Sequence, residues 1–210
     1  MHRRMGNPQA VLDPAAGRGE FITAVPATER WAVDAVDQGA DSGDQGVKVI
    51  ISDIMDADLP DAYFDGIFIS NFLEHLPGQD AIADLLARLR AAMRPGAAIA
   101  IIGPNFKYCP REYFDCADHT VILTHISVAE HLHAAGFELT AVYPRFLPYS
   151  FRGRLPASPL LTRAYLHLPL TWRLLGKQFL VLAHNPATNP DEQADLATGP
   201  GEQAGSVSIP

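Results

Sequence analysis

The chain has 210 residues, 48% of them apolar, and a formal charge of −8, enough for one full α/β domain with a tail and too short for two comfortable domains. The N-terminal Arg3 and Arg4 have no apolar stretch behind them, and no run of roughly eighteen uncharged apolar residues occurs, so a cytoplasmic protein without signal peptide or spanning helix is expected. The acidic body argues against nucleic acid as the partner, because neutralising phosphates takes a broad basic face.

In chain order, residues 10–13 read as a first strand, closed by Pro14 and the small-residue turn Ala15-Ala16-Gly17-Arg18-Gly19. Residues 20–25 start a helix that Pro26 limits. Strands follow at 31–34, 47–52 and 65–70, the last with Gly66 inside it. Residues 80–93 place Ile82, Leu85, Leu86 and Leu89 on one helical face. Arg94-Pro95-Gly96 ends that helix, and 97–103 is an uncharged run suited to a central strand covered on both faces. Residues 127–135 predict a helix with Ser127 as N-cap, Glu130 completing a capping box, and Gly136 as stop. Strands at 137–143 and 178–183 flank a proline-broken basic and apolar segment, 144–176. From residue 185 onward the composition turns to Pro, Ala, Gly, Glu, Gln and Ser, the mark of a disordered tail. The expected division is therefore a short extension at 1–9, a domain at 10–184 with 144–176 as a lid or substrate insertion, and a tail at 185–210.

Charge is unevenly placed. Every acid lies at or before Glu138 or from Asp191 onward, leaving Arg145, Arg152, Arg154, Arg163, Arg173 and Lys177 without an acid among them. Cys109 and Cys116, the only cysteines, fit a reducing compartment and are read as inert thiols. His131 and His133 stand two apart on a helix and cannot share a face, so no metal centre is expected.

The strand-turn-helix Val11-Leu12-Asp13-Pro14-Ala15-Ala16-Gly17-Arg18-Gly19 carries most information. Glycines at the carboxyl end of a strand let backbone approach a ligand closely, and that edge is where open α/β sheets bind cofactors. A dinucleotide is disfavoured, because Ile22 stands where its third glycine is needed and Glu20 sets a carboxylate near the place of the pyrophosphate.

This segment resembles the first motif of the class I S-adenosylmethionine-dependent methyltransferases, hydrophobic-Leu-Asp-x-Gly-x-Gly-x-Gly, with Asp13, Gly17 and Gly19 matching and Ala15 in place of the first glycine. Further segments are similar to that family in its own order. Trp31-Ala32-Val33-Asp34 resembles the strand whose closing acid holds the ribose, Ile51-Ser52-Asp53-Ile54 the end that meets the adenine, and 64–76, with Asn71, Glu74 and His75, the strand and loop facing the reactive methyl. The resemblance implies a Rossmann-like, open, mostly parallel seven-stranded sheet with helices on both faces and an antiparallel last strand. It implies S-adenosylmethionine as cofactor, held by Asp13, Ala15, Gly17, Gly19, Asp34, Asp53, Ile54 and Asn71. Plainer readings stand beside these: Asp34 as a solvated strand-end acid, Asp53 as part of an acidic loop with Asp56, Asp58 and Asp61, Glu74 and His75 as structural, and Asn71 as a turn former.

Methyl transfer from a sulfonium is an in-line displacement, so the protein chiefly aligns reactants and excludes water; a base is needed only where the acceptor loses a proton. His75, His119 and His125 are the candidates, with Asp118 beside His119 as a carboxylate able to fix a tautomer. The stretch Asn71-Phe72-Leu73-Glu74 lacks the Asn/Asp-Pro-Pro-aromatic signature of enzymes that methylate bases. Glu74, Arg152 and Arg154 are the candidate substrate contacts, the arginines toward a phosphate on a small-molecule, lipid- or glycan-linked acceptor. The aromatics and leucines of 144–176 suit a lid, contact with an anionic membrane surface, or ordinary packing. A rival of another class is a non-catalytic protein of this fold acting as a cofactor-binding or partner subunit, favoured by the short stretch before the first motif and the polar, glycine-rich 36–45. Oligomeric state is not legible.

Overall fold

Alternation along each strand sorts the apolar residues onto two faces, and the helices cover both. In the computed structural model, residues 1–38, 46–149 and 159–187 are described, the side chains of 159–162 excepted. The strands are β1 (Ala10–Asp13), β2 (Glu29–Asp34), β3 (Val47–Ile51), β4 (Phe64–Ser70), β5 (Met93–Pro104), β6 (Glu138–Tyr143) and β7 (Gln178–His184), in the sheet order β3-β2-β1-β4-β5-β7-β6. Pairs from β3 through β5 are parallel, while β7 runs antiparallel to both β5 and β6. The α/β class, the seven strands and the reversed last strand agree with expectation.

Ile67 and Ile69 of β4 and Ile99 and Ile101 of β5 pack on one side with α2 (Gln79–Ala92) and α3 (His125–Ala134). Their neighbours Phe68, Ala100 and Ile102 point to the other side, as a period of two demands. The predicted face of α2 is fully buried through Ile82, Leu85, Leu86 and Leu89, each side chain contributing about 1.5–3 kcal/mol. On the opposite side α1 (Glu20–Ala24) sets Ile22 against Val11 and Ala32. There too Met5 and Trp172 join the sheet cluster, Trp172 from α5 (Pro169–Leu175), which follows α4 (Pro159–Leu166). Among the described residues, no helix is long and apolar enough to cross a membrane.

Three local expectations are corrected. The α3 capping box is Thr124 with Ser127, whose amide donates to Thr124 Oγ1 at 3.1 Å while the Thr124 amide donates to Ser127 Oγ at 2.9 Å; the helix thus begins two residues before Ser127. Arg94-Pro95-Gly96 is not a break before β5 but an irregularity inside it, where pairing jumps from Phe64–Met93 to Gly66–Ala98 with Gly96 at φ +80°. Asn185 belongs to the domain: its amide donates to the Ala97 carbonyl at 2.9 Å, its side-chain Nδ2 to the Met93 carbonyl at 3.2 Å, and its Oδ1 accepts from Arg90 Nε at 3.0 Å. Within 144–176, the described residues 144–149 and 159–176 include two helices and pack on the sheet, with Phe146 and Trp172 buried, Trp172 Nε1 donating to the Tyr165 carbonyl and Tyr165 OH to that of Phe146, in keeping with the packing alternative. The tail from residue 188 lies outside the described residues.

Candidate active site

Because β1 to β5 run parallel, the residues that close them gather along one sheet edge. Asp13 ends β1 and Asp34 ends β2, and the turn after β1 is tied to the end of β2. The Gly17 amide donates to Asp34 Oδ2 at 2.8 Å, and the Ala16 amide donates to the Val33 carbonyl at 3.0 Å. Gly17 and Gly19 hold φ of +53° and +73°, conformations that a side chain disfavours. A Cβ on Gly17 would meet nothing within 4 Å, so the turn presents open backbone. The other Asp34 oxygen, Oδ1, accepts from the Val36 amide at 3.0 Å. An ionised carboxylate has about four acceptor positions, which leaves Asp34 able to accept two further hydroxyls.

Asp13 is only 4% exposed, and its Oδ1 accepts a long 3.4 Å bond from the Ala15 amide. Burial pushes its carboxyl up to about 7, with the Asp34 charge adding to the rise against the pull of that amide. Asp53 is exposed just beyond β3 and closes an Asx turn, its Oδ1 accepting from the Met55 amide at 2.8 Å. Ile54 is corrected: it sits in the core at 4% exposure, its carbonyl gripped by Arg88, and offers no face to a ring.

At Asn71, just past β4, the chain turns with φ +49°. A cavity of about 490 Å³ opens there, lined by Asn71, His75, Cys116, Asp118, Tyr149 and Gln178, with Pro148. Gln178 Nε2 donates to Asn71 Oδ1 at 2.7 Å, so the first residue of reversed β7 braces the loop after β4.

The loop holding His119 is stitched to the turn holding His75: the Glu74 carbonyl accepts from the Thr120 amide at 2.9 Å and the Val121 amide at 3.2 Å. The His75 and His119 rings consequently meet edge to face with centroids 4.9 Å apart. His75 Nδ1 lies 3.1 Å from Asp118 Oδ2 and 3.3 Å from the Asp118 carbonyl. Both are acceptors, so Nδ1 carries the proton and Nε2 keeps its lone pair. The Cys116 thiol donates to Asp118 Oδ1, which holds the Asp118 carboxyl below its ordinary value, helped by His75. Asp118 thus serves His75, not its sequence neighbour His119.

Glu74, expected as a substrate contact, is instead buried at 1% exposure behind His75, and neither of its oxygens has a hydrogen-bond partner. Burial pushes its carboxyl up to about 8, with Asp118 adding to the rise. His119 is 5% exposed and neither ring nitrogen has a partner of good geometry; burial and the neighbouring His75 lower its pKa. His125 does not join them. Its Nδ1 meets Asn105 Nδ2 at 2.9 Å, the same amide donates to the Pro144 carbonyl, and the ring borders a separate, apolar hollow. Arg152 and Arg154 lie outside the described residues. Cys109 and Cys116 are unreactive as read, the first pushed up to about 12 by burial, the second to about 11 by its bond to Asp118. Tyr149 comes from the segment read as a lid, whereas sequence reasoning missed Gln178; a polar residue opening a strand that returns to the site edge was the available signal for it.

A sheet of this order, with β7 alone reversed and acids closing β1 and β2, is the class I methyltransferase fold. The methyltransferase domain family model matches residues 9–101. The chain is similar to a SAM-dependent methyltransferase from Archaeoglobus fulgidus, at 22% identity and TM-score 0.61, covering 87% of this chain and 90% of that one. The 1,6-didemethyltoxoflavin-N1-methyltransferase of Burkholderia thailandensis, solved with its substrate and S-adenosylhomocysteine, matches at 22% identity and TM-score 0.61 over 88% and 74%. A chain in the complex of the Haloferax volcanii Trm112 methyltransferase activator with a methyltransferase matches at 14% and TM-score 0.62 over 85% and 83%. Structural likeness at these identities carries the fold. A search of curated proteins returns no match. Residues 9–101 thus match a methyltransferase domain, and the fold is that of the class I S-adenosylmethionine-dependent methyltransferases.

Proposed function

We propose that S-adenosylmethionine lies along the turn after β1 and the end of β2, and that its methyl group passes to a small acceptor held in the cavity at Asn71. The observation that carries this is the Gly17–Asp34 hydrogen bond of 2.8 Å, which makes the two halves of the cradle one structure. The residues fit that cofactor: Asp34 retains acceptor positions for ribose hydroxyls, Gly17 leaves open backbone, and an acid-rich edge suits a sulfonium and an ammonium. When bound, the cofactor supplies a methyl group on a sulfonium, whose sulfur leaves as a neutral thioether.

Asn71 and Gln178 position the acceptor, and Tyr149 and Pro148 shield it from water. His75, with Asp118 holding its Nδ1 proton, presents the lone-pair nitrogen at that wall, which suits an acceptor hydroxyl or amine that loses a proton as its bond to carbon forms. A polar cavity of this size takes a small molecule. An acceptor with a lipid part is favoured by one observation, the exposure of Leu170 and Leu174 at 75% and 76% on α5 beside Arg173.

Calorimetry with S-adenosylmethionine tests the reading. The wild-type chain is expected to bind one equivalent, and Asp34→Ala to bind about 10- to 100-fold more weakly, since a charge-assisted hydrogen bond contributes about 1.5–3 kcal/mol. His75→Ala is expected to keep cofactor affinity and lose turnover in an acceptor screen with methyl-labelled cofactor. A wild-type chain that binds no cofactor overturns the proposal in favour of a non-catalytic or partner-dependent subunit.

A further inference from the structure

Glu74, His75 and His119 each bring one ligand atom into a group in which all three lie within 4.8 Å of one another. Two of the three are more than nine-tenths buried, and their polar atoms, both Glu74 oxygens and both His119 nitrogens, have no hydrogen-bond partner. Buried polar groups left without partners are costly, and native structures seldom keep several together. Here they converge on one point, which calls for a common partner.

The third member is prepared for the same task. With its Nδ1 proton directed at Asp118 Oδ2, 3.1 Å away, His75 turns Nε2 toward Glu74 Oε1 at 4.0 Å. A carboxylate behind a histidine, fixing its tautomer and orientation, is the usual outer support of a metal-ligating imidazole. Gly103 contributes from β5: a Cβ there would stand 2.9 Å from the Phe179 ring and 3.5 Å from Glu74 Oε2, so the glycine admits both side chains. Donors around one ion at about 2.1 Å stand roughly 3–3.4 Å apart, so rotation of these side chains by an ångström or so closes the set.

We infer that Glu74, His75 and His119 hold a divalent first-row transition ion whose remaining positions face the acceptor cavity, where it takes an oxygen of the acceptor as ligand. Two imidazoles and one carboxylate suit zinc, iron, cobalt or manganese rather than magnesium, which prefers an all-oxygen shell. His75 and Asp118 line the cavity, so an ion at Nε2 meets whatever the cavity holds. A hydroxyl bound to such an ion loses its proton more readily. This places oxygen-bearing acceptors, above all those with two adjacent oxygens, ahead of simple amines. The expectation that no metal centre exists rested on the pair His131 and His133; the set found here joins Glu74 and His75 to a histidine brought in by the Thr120 and Val121 hydrogen bonds.

The inference rests on the acceptor side of the proposed function, and its test is independent of activity. Chelator-treated full-length protein is titrated with Zn²⁺ and, separately, with Mg²⁺, by calorimetry and by thermal melting. One Zn²⁺ per chain with a raised melting temperature, and no stoichiometric Mg²⁺, is expected. Glu74→Gln, and separately the partly exposed His75→Ala, are expected to lose the stoichiometric ion, and Asp118→Asn to weaken it by about 10- to 100-fold. Cofactor affinity measured on the same variants reports that the fold is intact. Absence of Zn²⁺ binding in the wild type, or binding unchanged in Glu74→Gln and His75→Ala, overturns the inference. Failure to bind S-adenosylmethionine with Zn²⁺ still bound would instead overturn the methyl-transfer reading.

Discussion

Asp13→Asn isolates the cost of the acid that closes β1. The side chain is 4% exposed, and burial raises its carboxyl from 3.8 to about 7. The native state therefore holds this proton more tightly than the unfolded chain does. The stabilisation is fully present below about pH 4 and is lost as pH climbs through about 7. A shift of about three units at about 1.4 kcal/mol each amounts to about 4 kcal/mol. Asparagine keeps the shape and cannot ionise, so the variant escapes the loss. Urea denaturation of both proteins across about pH 4–8.5 gives the difference in unfolding free energy, in which titrations common to both cancel. That difference should move in favour of the variant by about 4 kcal/mol from the acid to the alkaline end. On the proposed placement of the cofactor along this turn, its positive charge pulls the Asp13 carboxyl back down, so binding near pH 6–7 should release a proton from the wild type and none from the variant. A flat difference across the range would refute the burial argument.

Gly66→Ala is expected to destabilise by about 1–3 kcal/mol, because a Cβ on β4 would stand 2.5 Å from Pro8 Cγ and 2.6 Å from Pro8 Cβ; the urea midpoint checks this, and an unchanged midpoint contradicts it. Sedimentation with phosphatidylglycerol vesicles should carry the wild-type chain down, and Leu170→Asp with Leu174→Asp should abolish this, since both leucines stand exposed on α5.

Much of the scaffold was legible because its signals are local. The apolar spacing of α2, the uncharged β5 and the small residues after β1 each declare their element without knowledge of the rest. The meeting of the turn after β1 with the end of β2 was legible for the same reason, since Asp13 and Asp34 close neighbouring strands and parallel pairing brings Gly17 to Asp34. Ile54 misled, because a residue beside a site acid is turned inward once Arg88 fastens its carbonyl. The α3 cap was missed because Thr124 and Ser127 compete with the Ser127-Glu130 pattern, and only backbone geometry decides between them. The acceptor wall was the least legible part. Its histidines are 44 residues apart, a separation bridged by two backbone hydrogen bonds to the Glu74 carbonyl, and no periodicity foretells such a bridge. His125 was grouped with them on residue type alone, whereas Asn105 holds it elsewhere.

The reversal of β7 delivers Gln178 to the edge where its neighbours finish, in hydrogen-bonding reach of Asn71. One side of the groove is thus formed just past β4, by Asn71 and His75, and the other by chain beyond β5, through Cys116, Asp118, Pro148, Tyr149 and Gln178. Under the proposed function, mutation can remodel the later portion while the turn after β1 and the end of β2 stay intact, so acceptor preference can diverge without renegotiation with the methyl donor.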